Sequence, residues 1–227
     1  MPTPSLTVLY EDNHLLVLNK PAGLPTMGTP DGTPTLLSVA KDYIKQKYQK
    51  PGSVYLGVMS RLDAPVTGVI LLARTSKAAA RMTEQFRTHA IQKIYWTLVE
   101  GTPHPASGNC TNWLIQDERH RRMHVVDSSC SGAKEARLAY RLLTSDGRMS
   151  LLEVELETGR KHQIRLQMAH QGHPVVGDLK YGSQLKFSPG IALHALRLVV
   201  THPVRGEAML FEAPLPKSWP RGFQPES

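Results

Sequence analysis

The chain has 227 residues and 25.2 kDa, with 41% hydrophobic and 20% charged residues, a composition that supports a sizeable core and excludes collagen, coiled coil and wholesale disorder. Its 17 Gly and 17 Pro stand only modestly above the ordinary share of roughly 12% and read as turns between elements. Lys+Arg 27 against Asp+Glu 19 gives +8 and a pI near 9.6, so a polyanion is the first partner to consider, nucleic acid ahead of an acidic membrane surface.

Thr7 to Tyr10 and Leu15 to Leu18 flank the turn residues Glu11, Asp12 and Asn13, which predicts a hairpin ending at Lys20-Pro21-Ala22-Gly23. Leu36, Ala40, Tyr43, Ile44 and Lys47 recur at helical spacing between the entry Thr33-Pro34 and the stop Pro51-Gly52. Val69 to Ala73 is a short apolar run of the kind a doubly covered strand shows. Ser76 then caps a helix with a buried stripe of Ala79, Thr83, Phe86 and Ala90. In the strand Lys93 to Val99, Ile94, Trp96 and Leu98 share one face while Tyr95, Thr97 and Val99 take the other.

The second half reads mostly as strands. Met149 to Glu157 alternates cleanly, with Leu152, Val154 and Leu156 inward. Ala136, Leu138, Tyr140 and Leu142 alternate weakly, and their composition also suits a helix. His162 to Gln171 is a short helix closed by Gly172, and strands follow at Leu193 to Val200 and Ala208 to Glu212 around the turn His202 to Gly206. Hairpins outnumber crossovers, so the expected class is α+β with a large, mostly antiparallel or mixed sheet. No repeat and no linker is evident. The N-terminus lacks a basic region running into an unbroken apolar stretch, and no window reaches the roughly 18 apolar residues of a membrane span, so a cytosolic protein is expected. Cys110 and Cys130 supply no disulfide framework and are expected to be reduced thiols, partly buried.

Three segments carry candidate chemistry. Ser60-Arg61-Leu62-Asp63-Ala64-Pro65-Val66-Thr67-Gly68 sets an arginine and an acid two residues apart in a loop feeding an apolar strand; the plain structural reading is a local ion pair. Thr158-Gly159-Arg160-Lys161-His162-Gln163-Ile164-Arg165 gathers cations where a strand meets a helix. Cations there oppose the helix dipole, which argues for an anion at that place. Arg119-His120-Arg121-Arg122 has no apolar periodicity and suits a phosphate-contacting loop. His162, His170 and His173 have no carboxylate or Cys at metal-site spacing, and no phosphate loop, nucleophile elbow or dinucleotide fingerprint is present, so no metal and no cofactor is expected.

Taken together these segments resemble the RluA-type RNA pseudouridine synthase family along nearly the whole chain. Leu9-Tyr10-Glu11-Asp12-Asn13-His14 through Asn19-Lys20-Pro21-Ala22-Gly23 is similar to the family's opening motif, and Arg61-Leu62-Asp63 with Thr67-Gly68 to its catalytic motif. Lys93-Ile94-Tyr95 and Gly101 resemble its tyrosine motif. Gly159 to Arg165, Gly172 to Asp178 and Tyr181-Gly182 resemble its third motif, and Leu193-His194-Ala195 through Phe211-Glu212-Ala213-Pro214 its C-terminal strands. Ser60 stands where the family usually has His, and Val66-Thr67-Gly68 where it has Thr-Ser-Gly, a departure that bears on substrate choice more than on chemistry.

The resemblance implies a single catalytic domain over residues 1–227 with an active-site cleft across the sheet and no separate N-terminal S4 RNA-binding domain. It implies isomerisation of a uridine in ribosomal or transfer RNA to pseudouridine, with Asp63 as catalytic carboxylate, Arg165 paired to it and Tyr95 stacked on the uracil. By the same resemblance Arg61 contacts or replaces the flipped nucleotide and Ile164 lines an apolar wall. Arg119, Arg121, Arg122, Arg160 and Lys161 then serve as phosphate contacts, and the protein is a monomer that meets RNA and no membrane. Two rivals remain open at this point: a basic RNA-binding or ribosome-assembly protein that keeps the fold, and a nucleoside hydrolase, which wants a second carboxylate such as Glu157 or Asp178.

Overall fold

Residues 6–29, 32–120 and 122–224 are described by a computed structural model, in which the chain forms two compact units, Met1–Gln92 with Ala195–Pro214 and Lys93–His194 with Leu215–Ser227. In the first unit, β1 (Thr7–Glu11) and β2 (Leu15–Lys20) form the expected antiparallel hairpin. Strand β2 pairs with β4 (Thr67–Ala73), with Leu15 opposite Ala73 and Lys20 opposite Gly68. The short β3 (Gly57–Val58) also lies against β4, and β10 (Leu193–Thr201) pairs with β11 (Ala208–Glu212). All seven residues of β4 are buried, which explains their unbroken apolar character: both faces are covered.

Two helices flank these strands. Helix α1 (Leu36–Lys47) opens on Thr35, whose hydroxyl accepts from the Ser38 amide while Ser38 returns the bond to the Thr35 backbone, a reciprocal cap. Helix α2 (Ser76–Arg87) is capped by Thr75, one residue ahead of the expected Ser76, with the Thr75 hydroxyl accepting from the Ala78 amide at 3.1 Å. Of the expected stripe Ala79 is buried, together with Ala78 and Met82, whereas Phe86 is half-buried and Thr83 and Ala90 are exposed. The small side chains Ala78 and Ala79 pack with Ala73 of β4, a close approach that the larger Phe86 does not make.

In the second unit, β5 (Gln92–Glu100), β9 (Met149–Leu156), β8 (Lys134–Ser145), β6 (Ser107–Asp117) and β7 (Arg122–Val126) lie in that spatial order, all antiparallel. The weakly alternating Ala136–Leu142 stretch is therefore strand, and its pairing on both sides decides what composition left open. The β6–β7 hairpin was not legible in the sequence, because polar Ser107, Asn109, Thr111 and Asn112 mask the alternation. Helix α3 (Gln163–His170) ends where the Gly172 amide bonds the Ala169 carbonyl and Gly172 takes a φ of +83°. Leu98, Leu151, Val176, Ala192, Trp219 and Phe223 form a hydrophobic core of this unit. The class is thus α+β with mostly antiparallel pairing, as the sequence indicated.

Two features of the first unit fix its loops. Gly68 has a φ of +116°, and a Cβ placed there meets the Ala195 carbonyl oxygen and lies 2.5 Å from its nitrogen. The Gly of the Thr67-Gly68 pair is thus required by the approach of another backbone. Gly23, at φ +83°, has nothing within 4 Å of such a Cβ. Gly68→Ala is expected to cost about 4 kcal/mol or more and Gly23→Ala about 1 kcal/mol, compared by urea unfolding of the purified proteins.

The second feature is a polar knot joining the two hairpin turns. His202 is 1% exposed, and its Nδ1 accepts from the amides of Val204 (3.2 Å) and Arg205 (2.9 Å). Its proton therefore sits on Nε2, which donates to Asp12 Oδ2 at 2.8 Å. Burial raises the Asp12 pKa, but the His14 and Leu15 amides, Tyr10 hydroxyl and His202 outweigh it and hold the carboxyl far below the usual range. A lowered carboxylate contributes stability above its unfolded value, about 3.9, and loses it as pH falls through the folded value. Asp12→Asn is expected to cost about 2 kcal/mol at pH 7, and the gap from wild type is expected to close as urea unfolding is repeated below pH 4.

Candidate active site

Asp63 stands in the loop between β3 and β4, half-buried, and the chain on either side of it is pinned. On one side Leu62 is held at both polar groups by Thr26, whose Oγ1 donates to the Leu62 carbonyl (2.7 Å) and accepts from its amide (3.2 Å). On the other side the Ala64 carbonyl accepts from Lys20 Nζ (3.1 Å) and from the Gly23 amide (2.8 Å). The Val66 amide closes a turn on the Asp63 carbonyl at 3.0 Å. Arg61 remains exposed. A catalytic group needs this kind of fixed backbone, because a displacement of about 1 Å can cost a hundredfold in rate.

Lys20 is the centre of the arrangement. It is 0% exposed, sits at the end of β2, and also donates to the carbonyls of Pro21 (2.9 Å) and Leu24 (2.8 Å). Burial lowers its pKa to about 8, opposed by the negative charge of Asp63. The loop therefore places a buried cation in the field of the half-buried carboxylate.

In the second unit, Tyr95 is half-buried on β5 opposite Val154, on the face away from Ile94. Arg165 is 6% exposed on α3. Its Nε lies 2.6 Å from Asp178 Oδ2 and its Nη2 2.9 Å from Asp178 Oδ1, a bidentate pair with a carboxylate that is itself 2% exposed. The Tyr181 ring centroid lies 5.1 Å from Arg165 Cζ and 5.1 Å from Arg122 Cζ, within cation–π range of both. Its hydroxyl accepts from the Met123 amide at 3.1 Å and lies 2.7 Å from His162 Nδ1. His162 takes the left-handed φ of +53° at the start of α3.

Ile164 is buried beside Arg165 on α3. Arg160 is exposed, with its Nε 2.8 Å from the Glu135 carbonyl, and Lys161 is half-buried. Arg119 is exposed in the turn between β6 and β7, Arg122 opens β7, and Arg121 lies outside the described residues. The two carboxylates named above for a hydrolase are in ion pairs, Glu157 with Arg137 and Asp178 with Arg165. Sequence reasoning missed Lys20, Thr26 and the counter-ion role of Asp178. Lys20 had a signal, a cation two residues after the buried apolar run Leu15 to Leu18. Thr26 had none.

Lys20→Met is expected to cost about 3 kcal/mol at pH 7, because the Pro21 and Leu24 carbonyls lose this donor. The folded value of about 8 lies below the ordinary 10.5. Between these values the unfolded chain holds a proton that the folded chain has released, so this lysine makes stability rise with pH. The gap between wild type and Lys20→Met in urea unfolding is therefore expected to be flat below pH 8 and to widen towards pH 10.

The family model described as RNA pseudouridylate synthase matches residues 14–170. A curated relative from Synechocystis, an uncharacterized RNA pseudouridine synthase, is 38% identical over 93% of this chain and 66% of its own. The Bacillus subtilis RNA pseudouridine synthase YhcT is 35% identical over 93% of this chain and 69% of its own. Ribosomal large subunit pseudouridine synthase D of Xylella fastidiosa is 37% identical over 93% and 66%. This chain thus spans about two thirds of the length of these relatives. Among solved structures, human RNA Pseudouridylate Synthase Domain Containing 4 superposes with a TM-score of 0.78 at 26% identity, over 93% of this chain and 89% of that one. With the ordered motifs and the pinned Asp63 loop, these matches give one conclusion: the chain belongs to the RNA pseudouridylate synthase family, of the RluA type.

Proposed function

We propose that the protein isomerises a uridine of structured RNA to pseudouridine, with Asp63 as the catalytic carboxylate. The observation that carries this reading is the loop itself, in which Thr26 and Lys20 pin Leu62 and Ala64 on either side of Asp63. The reaction breaks the N1–C1′ bond, turns the uracil and joins its C5 to C1′. The C5 proton leaves and N1 takes one up, so atoms balance without redox change. An ionised Asp63 attacks sugar or base as a nucleophile, or stabilises a cationic sugar.

Arg165 is the proposed cation for Asp63 in the reacting complex, with Asp178 holding its guanidinium in a fixed plane. Tyr95 stacks on the uracil and serves proton transfer, and Ile164 forms an apolar wall. The glycosidic bond of a stacked nucleotide is hidden, so the target is flipped out at a cost of a few kcal/mol, and Arg61 takes the gap. Arg119, Arg121, Arg122, Arg160 and Lys161 contact phosphates. The names of the D-type relatives favour large-subunit ribosomal RNA as substrate over transfer RNA. The proposed setting is the cytoplasm and the proposed working unit a monomer; no helix among the described residues is long and apolar enough to cross a membrane.

RNA carrying tritium at C5 of uridine tests the reading. Wild type is expected to release label, and Asp63→Asn to release it at least a thousandfold more slowly while still binding RNA. Equal release from both removes Asp63 from the chemistry, RNA binding without release by either leaves a non-catalytic binder, and free uracil among the products marks a hydrolase.

A further inference from the structure

The cations around α3 differ in one respect that the roles above do not use. Lys93 precedes Tyr95 by two residues on β5, so both side chains leave the same face of the strand. Its ammonium is half-buried, and its hydrogen bond is a long one, 3.4 Å to the Thr158 carbonyl. It lies 3.9 Å from the position a Cβ would take on Gly159, so the absent side chain leaves the approach open. Arg160 follows directly, its guanidinium tied to the Glu135 carbonyl. The two cations repel: after burial, the charge of Arg160 is what most lowers the Lys93 pKa, to about 8.

Nearby carboxylates do not relieve this. Glu135 and Glu157 both pair with Arg137, at 2.6 and 2.8 Å. Among the described residues no carboxylate forms an ion pair with Lys93 or Arg160. Holding a half-buried ammonium against a guanidinium without an acid is unfavourable in the free protein. An anionic ligand between them reverses the sign.

We propose that Lys93 and Arg160 form a phosphate-binding notch that grips one phosphodiester of the substrate RNA beside the nucleotide faced by Tyr95. This rests on the pseudouridine synthase reading for the identity of the ligand. A phosphodiester suits the notch because it carries a single charge with two open oxygens, one for the compact ammonium and one for the guanidinium fork. Tyr95 and Lys93 then read adjacent parts of one nucleotide, base and backbone.

The test uses an unmodified large-subunit ribosomal RNA transcript, labelled for binding and tritiated at C5 of uridine for turnover. Lys93→Gln is expected to weaken binding about 5- to 10-fold at 0.1 M salt and to make the slope of log K against log salt shallower by about 0.7 to 0.9, one phosphate contact. The loss should fall on KM and not on kcat, and Lys93→Arg should restore it. Arg160→Gln, at an exposed position, should give the same slope change, so the proposal stands tested even if Lys93→Gln fails to fold. An unchanged slope in folded Lys93→Gln or Arg160→Gln, or a fall in kcat at constant KM, overturns the notch while tritium release by wild type keeps the enzymatic reading. Conversely, slope loss in both variants with no tritium release from wild type keeps the notch and removes the enzymatic reading.

Discussion

The buried ammonium of Lys20 organises the loop on which the proposed chemistry depends. A lysine with 0% exposure is stable only if its charge is met, and here it is met by three backbone carbonyls and the field of Asp63. Two of those carbonyls, of Pro21 and Leu24, belong to the segment after β2, and the third, of Ala64, to the segment before β4. One side chain therefore ties together two loops that are far apart in sequence, at Pro21 to Leu24 and at Ala64. Thr26 adds the second tie at Leu62. Between two fixed neighbours Asp63 has little backbone freedom left, and the buried Lys20 ammonium lies within its field.

Most of the architecture was legible because it follows from local pattern. The unbroken run of β4 announced burial on both faces, and the alternation of Leu152, Val154 and Leu156 announced β9. The helix closed by Gly172 needed only a residue that tolerates a positive φ. What failed was what tertiary contact decides. The inward side of α2 begins on the small residues Ala78 and Ala79 because the buried Ala73 of β4 meets it there, a fact about β4 and not about α2. Strand β6 is polar at several positions, so only its pairing with β7 and β8 identifies it.

The candidate site divides along the same line. Asp63, Tyr95 and Arg165 came from motifs, since a motif preserves residue types in order. Their partners did not, because a hydrogen bond between Thr26 and Leu62 leaves no trace in spacing. Asp178 illustrates the limit: next to Gly177 it reads as a turn residue, or as a second carboxylate for hydrolysis. Buried with both oxygens on Arg165, it is instead the group that makes a buried guanidinium tolerable. Removing Arg165 would take from the buried Asp178 the guanidinium that meets both of its oxygens.

The cations behind the net charge of +8 divide into paired and unpaired groups by the same accounting of partners. Many arginines are neutralised where they stand: Arg74 with Glu11, Arg137 with Glu135 and Glu157, Arg141 with Glu153, Arg197 with Glu212 and Arg205 with Asp12 and Glu207. Arg165 joins them, so it is expected to add little to RNA affinity despite its place in the basic run. Arg61, Arg119, Arg160, Lys161 and Lys93 form no ion pair among the described residues. These lie in the Asp63 loop, in the β6–β7 turn, at the entry to α3 and next to Tyr95 on β5. Among the described residues, unpaired positive charge thus stands beside the proposed catalytic groups, as it does also at Lys41, Lys77, Lys134 and Lys217, and the field of the whole protein draws a polyanion towards a surface on which these cations are free to meet phosphate.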